Sequence, residues 1–146
     1  FLHELGHTCA AIIFGRQVCD FRLFPVPSVM CEMDITNEFA VIVVGFSGML
    51  LPYLLSLILP RKHFWVWFLW LIISGICLLS FAVSIAGIFL YVSGSPMANE
   101  DITQIMKFAD ENYVLYLAIL IVLAVIRSVQ IVHSKPIKRC MKYFGV

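Results

Sequence analysis

Residues 64–92 read FWVWFLWLIISGICLLSFAVSIAGIFLYV, a run of apolar and small residues that no charged side chain interrupts. As one helix this run would be about 43 Å long, whereas the hydrocarbon core of a bilayer is roughly 30 Å thick. The run therefore predicts a membrane-spanning helix that tilts or extends past the bilayer. The alternative is two shorter crossings with a break near Ser74 and Gly75.

The composition of the whole chain agrees with a membrane location. Its 146 residues are 62% hydrophobic and only 13% charged, whereas soluble domains are about 45–50% apolar and about 25% charged. The net charge of +1 and the lack of a basic stripe with interleaved aromatic residues argue against a nucleic-acid partner. We expect an integral, multi-pass protein with the lipid bilayer as partner, and Trp65, Trp67 and Trp70 at the membrane interface.

Charged and turn-forming residues divide the chain into helices and polar segments, which we treat as a single membrane-embedded domain covering residues 1–146. The predicted fold class is an all-α polytopic membrane protein with about four transmembrane helices and a short interfacial β-hairpin or loop after the first. Two short strands on either side of Pro25 and Pro27 would form the hairpin. Arg127, near the end of the last span, is expected to extend its charge toward the interface. The predicted helices cover residues 1–14, 39–59, 64–92 and 112–132, with interfacial segments at 15–38 and 93–111.

The chain opens on His3-Glu4-Leu5-Gly6-His7, a motif typical of zinc peptidases. His3 and His7 share one face of a helix, with Cβ atoms about 5–6 Å apart, and can bind one Zn²⁺. Glu4 can act as general base, because zinc lowers the pKa of a bound water to about 7. The helix ends about eight residues later, so the metal would lie about 12 Å below the membrane surface. Because the motif opens the chain, we expect the sequence to be an N-terminally truncated fragment.

Ionisable residues inside a membrane helix are costly, and they usually mark a functional site. The alternative for this motif is a helix end in the headgroup region, where His3, Glu4 and His7 are simply solvated. A functional zinc site also needs a third protein ligand. Ala10 and Ile13 stand where the metzincin extension requires Gly and His, so that ligand must come from elsewhere in the chain.

Asp101 is the third ligand that the predicted topology favours. A single crossing by residues 64–92 returns the chain to the membrane side on which the motif helix ends, next to Asp101. Two crossings would leave Asp101 on the wrong side, so its assignment depends on one continuous helix. The other candidates that remain open are Glu32, Asp110 and His133.

Residues 3–16, HELGHTCAAIIFGR, resemble the opening of the site-2 protease family of intramembrane metalloproteases, peptidase family M50. The order that follows is similar too: a strand-like segment, a helix with GFSGMLLP at residues 45–52, and a helix leading to an aspartate. The usual second motif has Asn and Pro ahead of Leu-Asp-Gly, whereas here Glu100 and Ile102 flank Asp101. The resemblance is therefore to a compact, divergent member of the family.

The resemblance implies a zinc ion held by two histidines and one aspartate, which by position are His3, His7 and Asp101, with Glu4 as the base. Asn99 is a candidate substrate-binding residue, and capping of the following helix is its other possible role. The implied activity is hydrolysis of peptide bonds in or near transmembrane segments of membrane-protein or peptide substrates, in a bacterial cell membrane. Two alternatives are a catalytically inactive M50-like binding or regulatory protein and a metal-binding membrane transporter.

The basic residues give conflicting indications of orientation. The side away from the motif carries six of them, whereas the motif side carries only Arg16, Arg22 and Lys107. The positive-inside rule would turn the motif side away from the cytosol, but the family resemblance implies a site open toward it. Orientation therefore stays open. The six residues of the far side are Arg61, Lys62, Lys135, Lys138, Arg139 and Lys142.

Overall fold

The computed structural model describes residues 1–22, 24, 28–31, 37–97, 100–108 and 112–145. Within these residues the chain is mainly helical, with one β-hairpin after the first helix, as predicted. The elements in chain order are α1 (Leu2–Ile13), β1 (Val18–Arg22), β2 (Ser28–Cys31), α2 (Glu38–Ile58), α3 (Phe64–Val92), α4 (Asp101–Phe108), α5 (Tyr113–His133) and α6 (Pro136–Phe144).

The longest apolar run forms one continuous helix, α3, of 29 residues. The alternative of two crossings with a break near Ser74 and Gly75 is therefore wrong. Residues 64–92 contain no proline and no charge, so no local feature interrupts the helical hydrogen bonds. The consequence is that α4, which follows α3, lies at the same end of the bundle as the start of α2, against which it packs.

Three helices are long and apolar enough to cross a membrane: Glu38–Ile58, Phe64–Val92 and Tyr113–Phe144. The third comprises α5 and α6, which are separated by Lys135 in a left-handed backbone conformation with φ of 50°. Of the four predicted spans, α1 is the exception, because its 12 residues extend over only about 18 Å. Many outward-facing side chains of the long helices are apolar and exposed, such as Leu79 and Val122, as expected for contact with lipid.

The hairpin is antiparallel, with Phe21 opposite Val29 and Arg22 opposite Ser28. The described strands correspond to the two segments predicted as strands, residues 18–24 and 29–35, of which residues 23 and 32–35 lie outside the described residues. An irregularity between Val18 and Asp20 shifts the register, so that Asp20 pairs with Met30. Both strands contact α1, which positions the hairpin beside the helix that carries the histidine motif.

The hydrophobic core lies between α2, α3, α4 and α5. Its aromatic members, including Phe46 against Tyr116 and Tyr53 against Phe81, pack with ring centroids 5.7 and 6.1 Å apart. α4 contributes apolar side chains from one face of a short helix. The buried cluster consists of Phe46, Met49, Tyr53, Ile73, Cys77, Phe81, Ile88, Ile102, Ile105, Met106, Tyr116 and Leu120.

Two expectations about side chains at the membrane interface are wrong. Arg127 does not reach the interface: it is fully buried and donates hydrogen bonds to the carbonyl of Tyr53, at 3.2 Å, and to the hydroxyl of Ser74, at 3.4 Å. Trp67 and Trp70 are also fully buried, and only Trp65 is exposed as an interface residue would be. Packing between helices decides these positions, because the buried face of a helix cannot be read from composition alone.

Candidate metal centre

α1 and α2 approach each other closely through two glycines. A Cβ on Gly6 would overlap the carbonyl oxygen of Ser47 and would lie 2.7 Å from its carbonyl carbon. A Cβ on Gly48 would overlap Nε2 of His7 and would lie 2.9 Å from Cε1 of His3. Small residues permit this backbone approach between membrane helices. The histidine face of α1 therefore packs directly against the small-residue stretch of α2.

Three side chains converge at this contact. The Nε2 atoms of His3 and His7 are 3.1 Å apart. Oδ2 of Asp101, the first residue of α4, lies 2.9 Å from Nε2 of His3 and 3.2 Å from Nε2 of His7. Tetrahedral zinc with ligands at about 2.0–2.1 Å separates its ligand atoms by about 3.3 Å, so these three atoms are close to the spacing that the ion requires.

The hydrogen bond of His7 determines which of its nitrogens is free. Nδ1 lies 2.7 Å from the carbonyl oxygen of Val44, which can only accept, so Nδ1 is the protonated nitrogen. In the neutral ring Nε2 then carries a lone pair directed at Oδ2 of Asp101. Lone pairs at this spacing repel unless a cation or a proton lies between them. A hydrogen-bonded outer nitrogen is also the usual support of a zinc-binding histidine, and these residues therefore fit a zinc ion.

Asp101 is held as a carboxylate. Burial alone would raise the pKa of this carboxyl group, but the hydrogen bonds and charges that His3 and His7 supply when they are protonated outweigh burial and hold the pKa below its ordinary value. The group is therefore ionised at neutral pH. An anionic oxygen beside two imidazoles is a donor set that suits a divalent zinc ion.

Glu100 fixes the start of α4 and with it the position of Asp101. Its Oε2 accepts from the backbone N–H of Thr103 at 2.9 Å and from the hydroxyl of Thr103 at 3.0 Å, so it caps the helix. Its Oε1 accepts from the hydroxyl of Ser84 on α3 at 2.9 Å. The structure therefore supports helix capping as the role of Glu100.

A groove with a volume of about 1030 Å³ opens over the three converging side chains. Glu4 lines it beside His3 and His7, half-buried and close enough to His7 to act on it electrostatically. One wall is strand β2, and the other is a stretch of α3. The remaining lining residues are Ser28, Val29, Met30, Cys31, Val44, Leu79, Ser80, Val83, Ser84, Glu100, Asp101 and Gln104.

The structure brings together four of the five residues singled out from the sequence: His3, Glu4, His7 and Asp101. Asn99 lies outside the described residues, as do the rival third ligands Glu32 and Asp110. The remaining rival, His133, is the last residue of α5, at the far end of a helix about 31 Å long. Among the described residues, no other group of three potential ligands lies close enough together to hold a metal ion.

The sequence interpretation missed three supporting positions. Gly48 accommodates the imidazoles, the Val44 carbonyl orients His7, and Ser84 anchors Glu100. Small residues at 45–48 permit a close helix approach, but they do not specify which helix approaches. No sequence signal identifies a main-chain carbonyl such as that of Val44 as a histidine acceptor.

Comparisons of this chain with protein-family models, with curated proteins and with solved structures find no match.

Proposed function

We propose that this chain is an intramembrane zinc metalloendopeptidase that cleaves peptide bonds in or near transmembrane segments of membrane proteins, similar to the M50 family. The observation that carries the proposal is the convergence of His3, His7 and Asp101 on one point, beside Glu4 and at the base of an open groove. A catalytic zinc site has three protein ligands and an open position, which is the arrangement that these residues would provide.

Glu4 is the proton carrier in this proposal. Zinc bound at the three ligands would polarise both the attacking water and the scissile carbonyl. Glu4 accepts a proton from the water as it attacks the carbonyl carbon, and donates that proton to the leaving amine nitrogen as the C–N bond breaks. Asp101 and the two histidines would hold the zinc ion in position during this proton transfer.

The groove accommodates an extended peptide better than a helix. Strand β2 pairs with β1, and its Ser28–Cys31 residues also line the groove. Its other edge is available among the described residues to add a substrate strand by main-chain hydrogen bonds. A transmembrane helix must unwind first, because its peptide groups are bonded within the helix. Leu79 and Val83 of α3 form an apolar wall opposite β2 that suits the side chains of membrane-spanning substrates.

α1 is a fourth membrane-embedded helix whose histidine motif lies about 12 Å below the membrane surface. The protein is an integral, multi-pass component of a bacterial cell membrane. Asn99 is proposed as a substrate-contacting residue.

The decisive experiment is cleavage of a fluorescent transmembrane substrate by the purified chain in liposomes. We expect Glu4→Gln to lower the cleavage rate by about 10²–10⁴-fold, as for loss of a general base, while the zinc content stays unchanged. Glu38→Gln is the matched control, because it removes an exposed carboxylate at the start of α2 without touching the site. Full activity in the Glu4→Gln protein would refute the mechanism.

The same experiment separates the two rival functions. An inactive binding or regulatory protein would retain zinc but cleave nothing, with or without Glu4. A metal transporter would move zinc across the liposome membrane, and transport would depend on Asp101 but not on Glu4. The intact Glu4 beside the ligands favours the peptidase over both rivals.

A further inference from the structure

A second surface with a distinct charge lies at the end of the bundle remote from the groove. It consists of the α2–α3 turn and helix α6, and we name its six cations the basic collar. Residues 59–63 and 134–146, which form this end, contain no aspartate or glutamate. The basic collar therefore has no acidic neighbour along the chain. Its members are Arg61, Lys62, Lys135, Lys138, Arg139 and Lys142.

Helix α6 packs against the bundle. The ring of Tyr143 stacks on Phe64, at the start of α3, with centroids 3.7 Å apart and planes 4° apart. The guanidinium of Arg139 donates to the carbonyls of Arg61 and Lys62, and lies 5.1 Å from the ring of Trp67. These contacts hold α6 across the α2–α3 turn. The remaining faces of α6 therefore have a fixed orientation relative to the bundle.

Those other faces are amphipathic. Ile137, Met141 and Phe144 share one side of the helix and are 75%, 46% and 65% exposed, and Phe144 also packs edge-on against Phe64 with ring centroids 5.9 Å apart. Lys138 and Lys142 are four residues apart, share a different side and are exposed. A short helix with an apolar face and a lysine-rich face lies in the membrane interface, with the apolar side toward the acyl chains and the lysines among the headgroups.

The cations of the collar divide into two groups. Two are engaged with the protein: Arg139, and Arg61 with its guanidinium 4.5 Å from the ring of Trp70. Lys62, Lys135, Lys138 and Lys142 are exposed at the surface. Clusters of four or more basic residues next to a membrane span are typical of sites for anionic lipids.

We propose that the basic collar and the exposed apolar face of α6 bind the headgroups and upper acyl chains of anionic phospholipids, in the leaflet opposite the mouth of the groove. The negative phosphates match a surface on which all charged side chains are positive. Each basic residue close to an anionic surface contributes roughly fivefold to affinity, so several together produce a marked lipid preference. The interaction weakens as salt screens the charges.

The three tryptophans of the chain report directly on this surface, because Trp65, Trp67 and Trp70 all lie at the same end of α3. Energy transfer from tryptophan to dansyl-labelled lipids can be measured with the purified full chain in nanodiscs. We expect phosphatidylglycerol to be favoured over phosphatidylcholine by at least fivefold, with the preference decreasing at high salt. Equal transfer to both lipids would overturn the proposal.

A pair of double variants makes the test specific. Lys138→Gln with Lys142→Gln should lower the preference by about fivefold or more. Arg22→Gln with Lys107→Gln removes the same charge from exposed positions at the groove end and should change nothing. An equal loss of lipid preference in both double variants would contradict the proposal. A lack of lipid preference together with a doubled particle mass would also contradict it, because it would indicate that a second copy of the chain binds this face. The readout does not involve proteolysis, so it stands apart from the proposed peptidase activity and can be repeated in Glu4→Gln.

Discussion

Gly48 is the residue whose small size matters most for the site. It stands directly behind the imidazoles, 2.7 Å from Cε1 of His7 when a Cβ is added, so any side chain displaces a ligand. A side chain here would disturb the proposed zinc site without removing a donor atom. The effect of a substitution at Gly48 therefore comes only from displacement of the imidazoles.

We expect Gly48→Ala to weaken zinc binding by more than about tenfold, the lower end of what loss of a supporting contact costs. Zinc retained after competition with a chelator is the measurement. Gly75→Ala is the matched control, because a Cβ there meets nothing within 4 Å. Unchanged zinc in Gly48→Ala would mean that the histidines do not lie where the structure has them.

At the residue scale, three of the four converging side chains could be predicted because they obey a local rule. His3, Glu4 and His7 lie within five positions of one helix, so helical geometry alone brings them together. Asp101 is distant in sequence and was accessible through topology, by counting how often the chain crosses, and through its position in the family resemblance. Val44 and Gly48 belong to another helix, and their contact with His7 depends on the rotation of α2, which no local pattern specifies.

Helix α4 is a short element whose position depends on one carboxylate. Glu100 accepts hydrogen bonds from Thr103 within α4 and from Ser84 of α3, so it aligns α4 relative to the bundle. Asp101 follows it immediately. Glu100 is thus a positioning residue for Asp101, and through Asp101 it would act on the proposed zinc site.

We expect Glu100→Ala to weaken zinc binding by about 10–100-fold although no ligand is removed. Glu100→Gln should retain most of the affinity, because the amide oxygen still accepts from Thr103 and the amide N–H can donate to Ser84. Zinc affinity by competition titration measures both. An equally large loss in Glu100→Gln would show that the charge matters and not the hydrogen bonds.

Helix α5 is joined to α2 and α3 by the buried guanidinium of Arg127, which lies 4.2 Å from the ring of Tyr53. Its Nε has no hydrogen-bond partner among the described residues, so the charge is incompletely satisfied. A buried charge of this kind is often replaced by an apolar side chain of similar volume without loss. The contribution of Arg127 should therefore come mainly from the volume it fills.

We expect Arg127→Ala to lower the free energy of unfolding by about 2–5 kcal/mol because it leaves a cavity. Arg127→Met fills the space and should change stability by less than about 1.5 kcal/mol. Unfolding in mixed micelles measures both variants. A loss in Arg127→Met as large as that in Arg127→Ala would instead assign the effect to the charge.

At the element scale, the long apolar helices were predicted to within one or two residues, whereas no helix was predicted over the residues of α6. The signals for α6 are Pro136 in its first turn and Gly145 in a left-handed conformation just after its end. Nine residues are too few for periodicity to identify a helix. Its position depends on tertiary contacts such as Tyr143 on Phe64.

The whole molecule has two chemically distinct ends. The groove, the hairpin and α4 lie at one end, and the basic collar lies at the other. α2, α3 and α5 connect them, and each is long enough to cross a bilayer. The two ends should therefore face opposite sides of the membrane, whichever of them faces the cytosol.

We expect a membrane-impermeant maleimide to label Cys19 and an introduced Lys62→Cys from opposite sides of the same vesicles. Both positions are exposed, the first on β1 and the second on the α2–α3 turn. Each is tested alone, with the other native cysteines replaced by serine. Labelling of both from one side would exclude a single crossing by α2.

The coordination of zinc is the central claim, and X-ray absorption at the zinc edge of the purified protein tests it most directly. We predict two imidazole nitrogens and one carboxylate oxygen at about 2.0–2.1 Å, with one imidazole lost in His3→Ala and the oxygen lost in Asp101→Ala. Cys31 lines the same groove, and its thiolate is the alternative ligand that this measurement distinguishes most clearly from nitrogen and oxygen. A sulfur scatterer at about 2.3 Å, or the absence of bound zinc, would contradict the account.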